Sequence, residues 1–507
     1  MIKLFSALCV LFAYNTYIYA VSLEQTIKMT LENDSTISIK KVDVSNYEGL
    51  LLQSKQEFDT NFNLTSSFQR EKAPESVYLN NNTINNDTVS YDASLSKYFE
   101  SGYTLTSGVT YNESKLTYNS SNTNYKYNQS GIYFSINKAL LKNSSQEVIT
   151  SNKQQAKYNL KMSTYSYKKQ LNTSLYNSIN SYWEYLYAYE KSKLDSESKQ
   201  RAQLLIQNTN ELIMADSKPR ADILQPKANL NSKVLTSLST KQLLNDKRYD
   251  MGTQVGYNLK KSLSIDMPTD NFPQPVINNI KLLEEKYHFI NSALNQRIDL
   301  KLLELEMKKA ELDILVAKDG FKSDLDLTLS ASYDGTSKDE TITSSLDNYY
   351  NNNIEGNAIK LALEYKFPIE NSYAKGLYLS NKAKLSQSKI NYDELKRNIS
   401  YEINKLLDQI KITILSYKEI ENSILDYTAA LKNEKIKYTM GFSTILNIIQ
   451  TEDSLYAEKV KRLNILKTYA LQITQLHYIS SNIVNNDRNL NVNPNKFFVI
   501  KWNKNAK

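Results

Sequence analysis

Along most of this chain apolar residues recur every three or four positions, and in two regions that period gives way to strict alternation. From Tyr392 onward Leu395, Ile399, Ile403, Leu406, Ile410, Ile414 and Tyr417 step at helical spacing, with Lys, Glu and Asn between them. The pattern predicts one helix from Tyr373 to Tyr438, which at about 1.5 Å per residue would approach 100 Å. A comparable region from Ser144 to Ala215 contains INSYWEYLYAYEKS. A further helix is expected after each, from Ala221 to about Tyr249 and from Thr444 to about Asn482. The apolar stripes are narrow, which suits packing of long helices on one another better than burial in a globule.

The alternating regions read as strands. Phe58, Phe62, Leu64 and Phe68 face one way with Asn61, Asn63 and Thr65 opposite; later, Leu325, Leu327, Leu329, Ala331 and Tyr333 oppose Asp324, Asp326, Thr328 and Ser330. A returning strand carries Ile359, Leu361, Leu363, Tyr365 and Phe367 against Lys360, Glu364 and Lys366. Stretches of about ten residues with one apolar and one polar face fit a barrel wall between lipid and a wet lumen. Period alone also permits a half-buried strand of a soluble sheet. An additional hairpin, SYDASLSKYF and YTLTSGVTY around Gly102, precedes GIYFSINKAL. Alternation leaves open whether it widens a barrel or rises above it. The Asn-rich segments NNNTINND and NYYNNN read as exposed loops.

The two regions are copies. Residues 31–67 align without gaps on 294–330, Leu31 meeting Leu294, Ile37 Leu300, Glu48 Glu311, Leu52 Leu315 and Phe58 Phe321. Such a pattern points to internal duplication. It organises the chain as a first repeat at 21–250, with strands about 58–137 and a helical hairpin about 144–249. A linker at 251–290 carries Pro268, Pro273 and Pro275. The second repeat spans 291–482, with strands about 323–367 and a hairpin about 373–482, before a tail at 483–507.

Composition sharpens this. Only 11 Gly and 8 Pro occur in 507 residues, so long uninterrupted elements are expected. Residues 1–20, MIKLFSALCVLFAYNTYIYA, read as a signal peptide cleaved after Ala20, the alternative being an uncleaved anchor helix. The sole cysteine, Cys9, lies within it, so the mature chain would hold neither a disulfide nor a cysteine metal site. No later apolar run reaches the roughly 18 residues of a spanning helix. The net charge of +8 is spread along the chain apart from Lys496, Lys501, Lys504 and Lys507, read as a solvated end and not a nucleic-acid patch. The two histidines, His288 and His477, stand far apart and outside any metal-ligand, triad or phosphate-loop pattern. No enzyme, catalytic residue, metal or cofactor is expected.

The order and duplication of these features resemble the TolC-type outer membrane efflux proteins over roughly Leu23 to Ser481. The resemblance rests on the duplicated helix-to-strand passage, on Tyr182-Trp183, on FPIENSYAKG, and on YTMGFSTILNIIQTEDSLYAEK. It implies a mainly α fold with a transmembrane β-barrel contribution: a homotrimer sharing one barrel in outer membrane lipid, with an α-helical tunnel across the periplasm of a Gram-negative bacterium. Implied partners are a periplasmic adaptor and an inner-membrane pump, with no nucleic acid. The chain would then be the passive, gated exit duct of a tripartite efflux or type I secretion system. Residues around 250–290 and after Ile483 would form a belt around the tunnel.

The same resemblance places the adaptor-docking tip at Gly441, Phe442, Ser443, Thr444 and Ile445, with Asp216, Ser217 and Lys218 in the first hairpin. It places the periplasmic gate at Tyr438, Asn447, Gln450 and Asp222. Asp216 stands where the family has a glycine, and Asn447 and Gln450 stand where the best-known members have lumenal aspartates. Glu452 and Asp453 are expected on other helix faces. Pro219 suits the first turn of the second helix, and Pro226 is expected to kink it. The reading from a different class is a coiled-coil structural or adhesive cell-surface protein, which would not need strands with a lipid-facing code.

Overall fold

The computed structural model describes residues 21–74, 83–118, 123–338, 355–484 and 492–498. The signal segment, NYYNNN and Lys501, Lys504 and Lys507 lie outside the described residues. The chain divides into two compact units, one of residues 43–164 and 302–392, the other of 1–42, 165–301 and 393–507.

The first unit is built on one antiparallel sheet whose strands follow in chain order: β1 (Thr60–Pro74), β2 (Thr83–Tyr98), β3 (Tyr103–Tyr118), β4 (Thr123–Ala139), β5 (Asp324–Ser337) and β6 (Glu355–Lys366). The ladder aligns the alternation of all of them. One transverse row reads Phe62, Leu95, Ser107, Phe134, Ala331 and Ile359. The neighbouring row on the other face reads Asn61, Ser96, Thr106, Ser135, Ser330 and Lys360. In these central rows one face is therefore mainly apolar and the other polar across all six strands, as strand geometry requires when register is kept. The polar face carries Glu71, Asp92, Asp324, Asp326, Asp334 and Glu364 against Lys360 and Lys366, an acidic surface in a chain of net charge +8.

Strand β2 starts at Thr83, which corrects the expectation that NNNTINND is wholly loop. Asn85 and Asn86 sit opposite Lys72 and Glu71, so the ladder overrides their weak strand propensity.

Helix α2 (Ser35–Gln53) precedes β1 and helix α9 (Ile298–Asp319) precedes β5. Each set of strands ends in a left-handed asparagine followed by serine: Asn143 has φ 57° and Asn371 has φ 44°. Asparagine tolerates that region better than other side-chain-bearing residues. The Asn143 amide donates to the buried Asp319 carboxylate at 2.6 Å, and the Asn371 side chain donates to the Gly320 carbonyl at 2.9 Å. Each return strand is thereby tied to the helix–strand junction of the second copy.

The other unit contains α1 (Leu23–Asn33), α5 (Leu224–Gln254), α6 (Leu259–Leu263), α7 (Asn279–Leu283), α8 (Lys286–Gln296) and α11 (Ile445–Ile479). It also holds parts of α4 (Ser151–Met214) and α10 (Ser372–Thr439); the short α3 (Gln146–Ile149) precedes α4 in the first unit. Ser22 and Gln25 form a capping box that starts α1.

Its core gathers on Tyr182 and Trp183, both fully buried, with Met251, Phe272, Ala470 and Phe497. The Tyr182 hydroxyl donates to the Asp270 carboxylate at 2.7 Å, which also accepts from the Leu23 amide at 2.7 Å. Burial, reinforced by that carboxylate, pushes the Tyr182 phenol well up. Trp183 donates its Nε1–H to Thr474 Oγ1 at 3.2 Å. The linker around Pro268 and Pro273 thus packs against α1 and α4.

Lys496 departs from the solvated state expected of the tail. A 3-10 turn at Pro494–Phe497 docks Phe497 into the core, and Lys496 Nζ donates to the carbonyls of Asn482 and Ile483 beyond the end of α11. The cause is Phe497, whose burial draws its lysine neighbour inward. Burial lowers the Lys496 ammonium to about 8. His477 shares a 3.0 Å hydrogen bond with the Lys496 carbonyl, and burial lowers it to about 4.

A histidine depressed in the folded state is neutral there, while the unfolded chain takes up its proton below about 6.5. Stability should therefore fall as pH drops from about 6.5 to about 4, by about 3 kcal/mol in total for this group. Urea unfolding of the wild type and of His477→Gln across that window checks this; the variant should show a shallower loss.

Candidate functional site: the turns of the two helical hairpins

The second hairpin turns between α10 and α11. The Phe442 amide donates to the Lys437 carbonyl at 2.9 Å and the Gly441 amide to the Tyr438 carbonyl at 3.1 Å. This pair of bonds is a Schellman motif, which needs a left-handed residue at its centre, and Gly441 supplies φ 83°. Thr444 then caps α11 by accepting from the Asn447 amide. Ser443 is buried, its hydroxyl donating to the Glu434 carboxylate, which holds Glu434 below the usual carboxylate range. Asn447 Nδ2 reaches the same hydroxyl at 3.4 Å.

The first hairpin repeats the motif without the glycine. The Ser217 amide donates to the Leu212 carbonyl at 2.9 Å and the Asp216 amide to Ile213 at 3.1 Å, with Asp216 at φ 48°. Asp216→Gly should therefore stabilise the chain by up to about 1 kcal/mol, and Gly441→Ala should cost about 1–2 kcal/mol. No heavy atom lies within 4 Å of a Cβ built on Gly441, so that cost is backbone strain alone. Thermal unfolding of both variants reads the opposite signs.

After this turn the expected helix at Ala221 begins later. Arg220–Ile223 form a 3-10 turn capped by Pro219, and α5 starts at Leu224. Pro226 consequently falls in the first turn of α5, where a missing N–H costs little, and the expected kink is corrected.

The two turns meet at Tyr438. Its ring lies 4.7 Å from Lys218 Nζ, a cation–π contact, and burial together with the Asp222 carboxylate raises its phenol. The hydroxyl is buried beside Thr209 without hydrogen-bond geometry. Tyr438 packs with Leu431, Ile445, Ile448 and Leu455, while Leu205 and Leu212 of α4 lie against them.

Next to it a cavity of about 240 Å³ is lined by Arg201, Thr209, Lys435, Tyr438, Ile448 and Glu452 among others. Arg201 Nε donates to the buried Glu452 carboxylate at 2.7 Å, joining α4 to α11. Asp453 pairs with Lys233 of α5. Further along, the buried Asp195 carboxylate accepts from Lys191 at 3.0 Å and from the hydroxyls of Thr240 and Tyr456, pinning α4, α5 and α11 together.

Of the sequence-predicted residues, the structure brings Tyr438, Lys218 and Asp222 together. Asn447 and Gln450 are exposed on α11, away from Glu452. At the tip, Phe442 is 83% exposed, and Gly441, Thr444, Asp216 and Ser217 are open; Ser443 and Ile445 are buried. Met440, Met214 and Leu446 are exposed beside them. Sequence reasoning passed over Arg201, Glu434 and Asp195, whose partners are distant or lie within a polar run without a motif.

No family model matches the sequence, and no curated protein matches it. Solved structures do. The CmeC outer membrane channel of Campylobacter jejuni superposes with TM-score 0.60 at 15% identity, covering 91% of this chain and 85% of that one. The outer membrane protein VceC of Vibrio cholerae gives 0.63 at 14% identity, covering 90% and 96%. The open state of the Neisseria gonorrhoeae MtrE outer membrane channel gives 0.59 at 14% identity, covering 90% and 88%. A two-faced sheet, long helical hairpins and these neighbours agree: this chain has the fold of the TolC-type outer membrane channels.

Proposed function

We propose that the chain is the outer-membrane exit duct of a tripartite efflux or type I secretion system, acting as a homotrimer in a Gram-negative outer membrane. The observation that carries this reading is the sheet: apolar through the middle of one face, polar and acidic on the other, with no further strand beyond β1 or β6 among the described residues. A sheet edge in lipid leaves backbone groups without partners, so the wall must close through other copies. The hairpins then form the periplasmic tunnel. Conduction is passive, with the pump supplying energy and no catalysis by this chain.

Contacts of Tyr438, Lys218 and Asp222, together with Arg201 and Glu452, hold the closed state, with Asn447 and Gln450 lining the passage. The exposed tip, with Phe442 at its apex and Gly441, Thr444, Asp216 and Ser217 around it, docks the adaptor. Phe442→Asp should abolish adaptor pulldown while SDS-resistant, heat-sensitive trimers persist in outer membranes; unchanged pulldown would refute the tip assignment. The coiled-coil surface-protein reading gives no role to an apolar sheet face, and shedding of the chain as filaments would favour it.

A further inference from the structure

We infer that the β2–β3 hairpin is part of the membrane wall, so that three copies close an eighteen-stranded barrel in which β1 of one copy pairs with β6 of the next. The inference rests on the trimeric duct reading and adds the composition of its wall.

Each copy of the internal duplication needs only an outgoing and a returning strand: β5 and β6 in the second, β1 and β4 in the first. The hairpin is extra, and its placement decides the width of the pore. It lies inside the sheet, fully laddered to β1 on one side and β4 on the other. Strand β2 pairs with β1 from Thr60↔Lys97 to Pro74↔Thr83, without a bulge or a break. A protruding hairpin would have no reason to keep that register.

It also carries the wall's code. Leu95 and Val109, both 53% exposed, stand in the apolar rows with Phe62, Leu64, Phe134 and Ile132. Ser96 and Thr106 stand in the polar row with Asn61 and Ser135. Charged residues of this face in β1 to β4 lie toward its ends. Lys97 and Lys138 lie at one end; toward the other, Glu113 stands level with Phe68 and Val89, Arg70, Asp87, Lys115 and Lys126 form the next row, in which Arg70 pairs with Asp87 at 2.7 Å, and Lys72 lies beyond it. Between them Leu95, Ala93 and Tyr91 on β2 and Ser107, Val109 and Tyr111 on β3 form an uncharged band, as a lipid-facing surface requires.

The partner at the edges is a second copy of this chain. The largest apolar exposures of the sheet fall on its two edge strands: Phe62 66% and Leu64 69% on β1, Ile359 81% and Leu361 71% on β6. Six strands fall short of the roughly eight needed for the smallest barrels, so the sheet cannot close on itself. Because barrel diameter grows about linearly with strand number, the hairpin widens the wall about 1.5-fold over one with four strands per copy.

The test uses full-length chains reconstituted in liposomes. Cys9 is the sole cysteine and lies in the signal segment, so single cysteines report cleanly. Leu95→Cys and Val109→Cys should resist an aqueous maleimide and have attached bimane quenched by brominated lipid, whereas Ser96→Cys and Thr106→Cys should label from water. Equal aqueous labelling of all four in intact trimers would overturn the inference and leave the duct reading standing. Loss of trimers and of conductance in the unmodified chain would instead overturn the duct reading. As a second arm, deletion of residues 83–118 should lower the size of polyethylene glycol that enters the barrel from its outer mouth. An unchanged cutoff in a trimeric deletion variant would also refute the wider wall.

Discussion

Trp183→Ala should lower stability by about 3–5 kcal/mol, the largest single-residue effect expected in the helical unit. The side chain is 0% exposed and its ring lies 5.4–5.8 Å, centroid to centroid, from Tyr182, Phe272 and Phe498 in edge-on or tilted contacts; these come from α4, the linker and the tail. Its removal leaves a void bordered by three chain segments that are held separately, through Asp270, Thr474 and Lys496, and so cannot collapse together. Trp183→Phe should cost far less. It keeps most of the volume and forfeits the hydrogen bond to Thr474, whose own hydroxyl still donates to the Ala470 carbonyl at 2.9 Å, a loss of about 1 kcal/mol. Urea unfolding followed by circular dichroism should order the proteins as wild type, Trp183→Phe, Trp183→Ala. Equal losses in the two variants would mean that the indole N–H, and not the packing, holds this centre.

On the gated-duct reading proposed above, Arg201→Ala should produce a leaking channel. The guanidinium is the one cation that the described contacts place on Glu452, whose side chain is 11% exposed. An unpaired carboxylate in that position favours separation of α4 from α11, which lets it reach water. Since Arg201 itself is 30% exposed, part of the pair's energy is screened, and about 2 kcal/mol is a fair cost. If the closed state loses that amount, the open population rises about 30-fold, which planar-bilayer recording reads as conductance in the absence of adaptor. The double variant Arg201→Ala with Glu452→Ala should leak less than the single, because no stranded charge remains. A double variant that leaks as much as the single would place the lock elsewhere, Asp195 being the next site to examine.

The long elements were legible because their periods persist. The helix expected from Tyr373 to Tyr438 runs from Ser372 to Thr439, and the strand expected through Ile359 and Phe367 spans Glu355–Lys366. What the periods did not reveal was which element lies beside which. Alternation is the same in a wall strand and in a protruding one, so the place of β2 and β3 emerged only from the ladder.

The same limit hid Arg201 and Glu452, 251 residues apart, since a helical stripe marks a face without naming its partner. Local chemistry misled in two places. Lys496 belongs to a basic tail by composition, yet one aromatic neighbour anchors it. Ser443 and Ile445 lie in the turn sequence, yet the Schellman reversal and the Thr444 cap direct them inward, leaving Phe442 as the apex.

The uninterrupted register of β1 to β4 bears on how such a wall changes size over evolutionary time. A hairpin leaves and re-enters the sheet at the same margin, so adding one shifts neither the point where α3 and α4 begin nor the face to which any later residue points. Single strands lack this property, because an odd insertion would deliver the chain to the wrong side of the bilayer. The calibre of the wall can therefore be edited in steps of two strands while the tunnel-forming helices are inherited unaltered. Width at the outer surface and the docking proposed for the tips would then be free to diverge independently within one architecture.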